Sequence, residues 1–204
     1  MGEGSVKPVT VHFVLDVICS ASYVAFTRFG RAVDRFTADG GSCELTVLPF
    51  ELAPGEQEHG RPLLDELREH FGEEAIAHAR QMAVDAKADG VVLDYDRALG
   101  AGTFEAHRLI RQAAEQGSGR AMTERLFRAH FTDGLDIGDT AVLGRIAQEL
   151  DVSFTTDGAD ELRAELDRVR AMGFRSVPHV LLPDGKQLSG VRAEDDYYTA
   201  LTGA

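Results

Sequence analysis

Cysteine is scarce in this chain: Cys19 and Cys43 are the only two among 204 residues. That is too few to staple a small secreted domain, so their role is chemical or a matter of packing. Basic residues are also short. Lys and Arg number 21 against 34 Asp and Glu, a net charge of -13, which repels a phosphate backbone and argues against a nucleic-acid partner. No apolar run approaches the ~20 residues of a membrane helix, and the N-terminal sequence has no basic region followed by a long apolar stretch. The reading is a soluble, cytoplasmic chain with no membrane partner. Seven histidines form neither a Cys/His cluster nor a His-Glu-x-x-His pair, so no metal is expected. Internal repeats and low-complexity tracts are lacking as well.

What is present is ample apolar content, 44% of residues, enough for a real core at this length. Val9 to Val17 is β-branched and aromatic and runs into small polar residues, as a buried strand entering a turn does. From about Ala21 to Ala38, Tyr23, Phe26, Phe29, Val33 and Phe36 recur at three- and four-residue steps, which places them on one helix face until Gly40-Gly41 stops it. Cys43 to Phe50 reads as a second strand ending at Pro49. Arg61 to Leu150 is polar and helical, divided by Gly90, Gly100, Gly102, Gly117-Ser118-Gly119 and Gly134 into four or five helices. A helix near Asp160 to Met172 follows. Strand sequence returns in His179 to Leu182, turns at Pro183-Asp184-Gly185-Lys186, and resumes at Gln187 to Gly190, a hairpin signal. A short helix, Ala193 to Leu201, closes the chain. The order β-α-β, helices, α-β-β-α predicts an α/β protein with a thioredoxin-like core, residues 1–55 and 155–204, split by an all-helical insertion, residues 56–154.

Cys19 lies between the first strand and the first helix, where unpaired backbone N–H groups and the helix dipole favour a thiolate and lower its pKa below ~8.5. The plainer reading is a small buried hydrophobe. Late in the chain, Ser176-Val177-Pro178-His179 opens the hairpin with a proline able to take the cis form. Asp16, just before the cysteine loop, reads either as a buried acid exchanging protons with Cys19 or as a turn residue bonding its own backbone. The acidic runs Asp65-Glu66, Glu73-Glu74 and Glu194-Asp195-Asp196 read as solvated surface.

Asp16-Val17-Ile18-Cys19-Ser20-Ala21-Ser22-Tyr23, a helical insert, and a late Gly173-Phe174-Arg175-Ser176-Val177-Pro178 before Leu188-Ser189-Gly190 together resemble the DsbA family, closest to its FrnE-like branch. The resemblance runs nearly the whole length. It includes Leu48 to Pro54, Thr103 to Leu109 and Leu126-Phe127-Arg128-Ala129-His130-Phe131. It implies that Cys19 and Ser22 occupy the redox positions and that Val177-Pro178 is cis and shapes a substrate groove. The departure is Cys19-Ser20-Ala21-Ser22 where the family carries Cys-Pro-x-Cys. No resolving thiol remains there, and a serine hydroxyl cannot attack a mixed disulfide at neutral pH.

Cys43 reads as packing, set off from Cys19 by a helix of about 17 residues, or on the order of 25 Å. The related kappa-class glutathione transferases and 2-hydroxychromene-2-carboxylate isomerases place a serine near this position, which implies Ser20 or Ser22 as the group that holds a thiol co-substrate. His107, in the Ala106-His107-Arg108 segment, is implied to orient a substrate or tune Cys19, against the plainer reading of a helix histidine satisfied internally. Three functions stay open. One is monothiol exchange through Cys19; another is isomerase or glutathione-transferase-like catalysis on a small molecule; the third is a non-catalytic binding module, with a homodimer a possibility. No resident cofactor is expected. Glutathione or another small thiol is the co-substrate implied, with a small molecule or a protein thiol as partner.

Overall fold

The structure, a computed structural model, describes residues 7–55 and 60–204. Strand β1, Val9–Leu15, lies inside a four-stranded sheet of order β2-β1-β3-β4, with β2 spanning Cys43–Pro49, β3 His179–Leu181 and β4 Gln187–Ser189. β2 runs parallel to β1; β3 is antiparallel to β1 and to β4. Because β1 is paired on both edges and covered on both faces, Val11, Phe13, Val14 and Leu15 are all fully buried. A strand covered on both faces loses polar alternation, which is why its second half, Phe13-Val14-Leu15, reads as an unbroken apolar run after the exposed His12.

Helix α1, Ser20–Ala38, crosses one face of the sheet. Phe26 and Phe29 meet Phe13 edge-on at 5.2 and 5.5 Å, contacts of the kind aromatic rings favour. The helix ends where Gly40 takes φ +91° and the Gly41 N–H returns to the Phe36 carbonyl at 2.9 Å. A β-carbon on Gly41 would meet the Phe36 ring at 2.4 Å, so a side chain at this stop requires that ring to shift. The last helix, α8, Glu194–Thr202, lies beside α1 and packs Tyr197 edge-on against Phe29 at 5.7 Å.

Between β2 and the final α-β-β-α run the described residues form five α-helices: α2, Leu63–Phe71; α3, Glu73–Asp85; α4, Phe104–Glu115; α5, Gly119–Arg128; and α6, Thr140–Glu149. A 3₁₀ turn at Ala86–Asp89 follows α3 and a π-helical turn at Ala129–Asp133 follows α5. The insertion boundary expected after residue 55 adjoins residues 56–59, which lie outside the described residues. A single apolar cluster runs from β1 through α1 into α4, α5 and α6, so the sheet and these helices share one core. Helix α7, Ala159–Ala171, covers the opposite face, where Val169 packs with Val14 and Phe50.

Polar ties hold the inserted helices in place. Arg28 of α1 donates to both carboxylate oxygens of Asp89 at 2.8 and 2.7 Å. Arg108, only 5% exposed, donates to the Thr155 and Asp157 carbonyls. No helix among the described residues is long and apolar enough to cross a membrane.

Candidate functional site

β1 stops at Leu15, and the chain turns through Asp16, Val17 and Ile18, with the Cys19 N–H bonded to the Asp16 carbonyl at 3.1 Å. Cys19 is extended and serves as the N-cap of α1. Its sulfur accepts the Ser22 N–H at 3.4 Å, satisfying one of the orphan donors at the helix start. Across the loop, the Cys19 thiol donates to the Val177 carbonyl at 3.7 Å, and the Val177–Pro178 peptide bond is cis. Sheet register explains the meeting. Val14 pairs with His179, so one step further along the antiparallel ladder Pro178 comes level with Leu15.

The acidity expected of Cys19 is overturned. Burial pushes the thiol above the ordinary cysteine range, and the Asp16 carboxylate adds to the effect; the Ser22 side chain and N–H pull the other way without prevailing. A single long N–H···S contact does not replace the water that the sulfur loses. Of the two readings of Asp16, the turn residue is corrected and the burial is observed. The carboxylate does not cap its own turn: it is fully buried, accepts the Leu52 N–H at 2.8 Å through Oδ2, and sets Oδ1 3.4 Å from Nε2 of His107.

His107 stands behind the loop, inside the protein. It is 2% exposed, with Nε2 3.1 Å from the Phe50 carbonyl. Ser20 places its hydroxyl against that of Tyr95, whose own ionisation is pushed up mainly by burial. Glu51, beside this group, also has its carboxyl pushed up by burial.

Asp16 Oδ1, Ser22 Oγ, His107 Nδ1 and both ring nitrogens of His130 are buried without a hydrogen-bond partner, and no other buried side-chain nitrogen or oxygen among the described residues shares that condition. Buried polar atoms are nearly always paired, so this concentration in four residues around one loop sets the candidate site apart from the rest of the core. His130 sits in the π-helical turn, fully buried, its ring edge-on to Phe131 at 4.5 Å. Loss of water holds its pKa down to about 4, against the pull of Asp16. Beside the loop opens a cavity of about 800 Å³, walled by Ile18, Leu52, Leu63, Leu67 and Phe71, with His130 also lining it.

Cys19, Ser20, Ser22, Val177 and Pro178 therefore converge, with His107 behind them. Cys43 does not join them. It pairs with Val9 at the far end of the β1–β2 ladder, about 20 Å of strand away from Leu15, and burial raises its thiol to about 11. Both cysteines are free thiols. Among the described residues, no three His, Cys, Asp or Glu side chains gather as metal ligands. Tyr95, Glu51, Leu52 and His130 went unmarked in the sequence reading. Glu51 and Leu52 carried a signal only as part of the Leu48 to Pro54 segment, and His130 as part of the Leu126 to Phe131 segment; Tyr95 carried none.

Residues 10–202 match the family described as DSBA-like thioredoxin domain. Among solved structures, the fold is similar to a probable DsbA oxidoreductase from Streptomyces coelicolor, with a TM-score of 0.84 and 26% identity over 96% of this chain and 89% of that one. A cytosolic disulfide reductase, DsbM from Pseudomonas aeruginosa, aligns with a TM-score of 0.59 and 21% identity over 95% and 97% of the two chains. A 2-hydroxychromene-2-carboxylate isomerase aligns at 0.66 and 12% over 95% and 93%. These last two likenesses concern the fold alone. Among curated proteins none is similar enough to the chain to count as a match.

Proposed function

The chain belongs to the DSBA-like thioredoxin domain family, and on that premise we propose that it is a single-cysteine thiol enzyme in which Cys19 exchanges with small disulfides such as oxidised glutathione. The observation that carries this reading is the placement of Cys19 at the start of α1, against the Val177 carbonyl, with Ser22 where a second cysteine would stand. As a thiolate, Cys19 attacks one sulfur of the disulfide. The S–S bond breaks, one half leaves as a thiolate that takes a proton from water, and Cys19 holds the other half. With Cys43 at the other end of the ladder, a second small thiol completes the cycle. It attacks the bound half, forms the new disulfide and returns Cys19 as the thiol. Because burial keeps Cys19 protonated at rest, the rate follows the small thiolate fraction and climbs about tenfold per pH unit below the pKa.

The test uses the Cys43→Ser chain with oxidised glutathione, followed by intact mass. One glutathione should add at Cys19, leave on addition of reduced glutathione, and be absent from a Cys19→Ser, Cys43→Ser chain. Ser22→Cys should gain dithiol exchange. A folded chain that takes no adduct, together with no gain from Ser22→Cys, overturns the reading in favour of a binding module that kept the fold.

A second reading is favoured by the cavity at Ile18: an isomerase or transferase that turns over a small molecule at Cys19 without net disulfide chemistry. The free thiols suit a reducing compartment, and the cytoplasm is the location we propose.

A further inference from the structure

Helix α2 has no fully buried residue, yet Leu63, Leu67 and Phe71 of that helix wall the cavity opposite Ile18 and Leu52. Leu52 and Phe71 remain 45% and 71% exposed, apolar side chains left in water at its mouth. Such walls fit an apolar occupant, but they do not account for His130. His130 is also among the residues that line the cavity, is fully buried, and has no partner for either ring nitrogen.

A neutral imidazole offers one donor and one acceptor, and leaving both unpaired in the interior is costly. An occupant that supplies the missing partner removes that cost. The ring's low basicity, set by burial at about 4, leaves it uncharged at neutral pH, so it calls for a hydroxyl or a carbonyl and not for a carboxylate counter-ion. Arg61 and Glu66, also in the wall, bring one charge of each sign and give no net preference for an ionic ligand. At about 800 Å³ the space falls within the usual range for drug-sized ligands.

We propose that this cavity binds a small, uncharged, largely apolar molecule bearing a hydroxyl or carbonyl oxygen, and that the oxygen hydrogen-bonds to the His130 ring. The inference deepens the small-molecule side of the proposed function and rests on that reading for its link to Cys19; binding itself does not require the thiol.

The experiment is an NMR titration of the full chain with 4-propylphenol, propylbenzene and 4-propylbenzoate. In the unsubstituted protein 4-propylphenol should bind about tenfold more tightly than propylbenzene, the worth of one buried hydrogen bond, and should shift the His130 ring nitrogen resonances further than propylbenzene does. 4-Propylbenzoate should bind more weakly than the phenol. In His130→Leu, propylbenzene should still bind while the phenol loses its advantage, and Leu67→Trp should weaken both by filling the space. Cys19→Ser should bind the phenol as the unsubstituted chain does.

The inference is overturned if neither neutral probe binds, if the benzoate binds best, if the phenol keeps its advantage in His130→Leu or leaves the His130 ring unmoved, or if Leu67→Trp binds both unchanged. Phenol binding that persists in a chain whose Cys19 takes no glutathione overturns the thiol reading alone and leaves the cavity assignment standing.

Discussion

The Cys19 thiol and the Val177 carbonyl, 158 positions apart in the chain, meet at 3.7 Å, with the thiol as donor. A carbonyl oxygen in that position stabilises S–H over S⁻, and the buried Asp16 carboxylate opposes ionisation from the other side. At the helix start the Ser22 N–H reaches the sulfur at 3.4 Å, and what the first turn offers does not outweigh burial. The resting state is therefore a protected thiol, and its reactivity is set by how readily the proton leaves.

Alkylation of Cys19 by iodoacetamide in the Cys43→Ser chain, followed by mass, should still be accelerating above about pH 8.5, the ordinary cysteine value. Removing the opposing charge with Asp16→Asn, which keeps an acceptor for the Leu52 N–H, should raise the rate several-fold at pH 7.5. A plateau near neutrality in the unsubstituted loop, or a slower Asp16→Asn, would contradict the burial argument.

Stability should depend on His130 with a definite sign. Between about 6.5, its ordinary value, and about 4 in the folded chain, the unfolded state binds a proton that the folded state refuses. The contribution is thus complete above about 6.5 and is lost as pH falls toward 4, with a magnitude of about 3 kcal/mol. Urea unfolding from pH 7 to 4 should show a steeper loss in the unsubstituted chain than in His130→Leu. Carboxylates that also titrate there are common to both proteins and cancel in the comparison.

Gly134 ends the π-helical turn with φ +67°, and a β-carbon there would stand 2.7 Å from the Arg97 carbonyl oxygen. Backbone cannot swing aside as a side chain can, so Gly134→Ala should cost about 2 kcal/mol, measured by thermal or urea unfolding. Because the same turn carries His130, the variant should also weaken 4-propylphenol binding.

The sheet and first helix were legible because their pattern is local. β1 reads as apolar wherever it is buried, and the 3.6-residue spacing of Phe26 and Phe29 survives whatever packs against them. Cys19 and Pro178 could be paired from the sequence only through the family resemblance, since the sheet register that joins them is not a local property. The acidity of Cys19 was misread for the same reason. A helix start is visible in sequence, but the burial that outweighs it comes from packing that the local pattern does not carry. Tyr95 and His130 lie in the inserted helices and their connections, where nothing in residue type or spacing distinguishes a site residue from a core one.

β1 takes one neighbour, β2, soon after it in the chain, and the other, β3, only when residues 179–181 exist. On the ribosome the central strand therefore waits with one edge bare, and Cys19 waits without Val177, until almost the entire chain has emerged. An open apolar edge is a template for pairing with other chains. A stalled or truncated product thus exposes an adhesive strand edge that the finished molecule covers, and leaves Cys19 without the carbonyl that meets it in the finished fold.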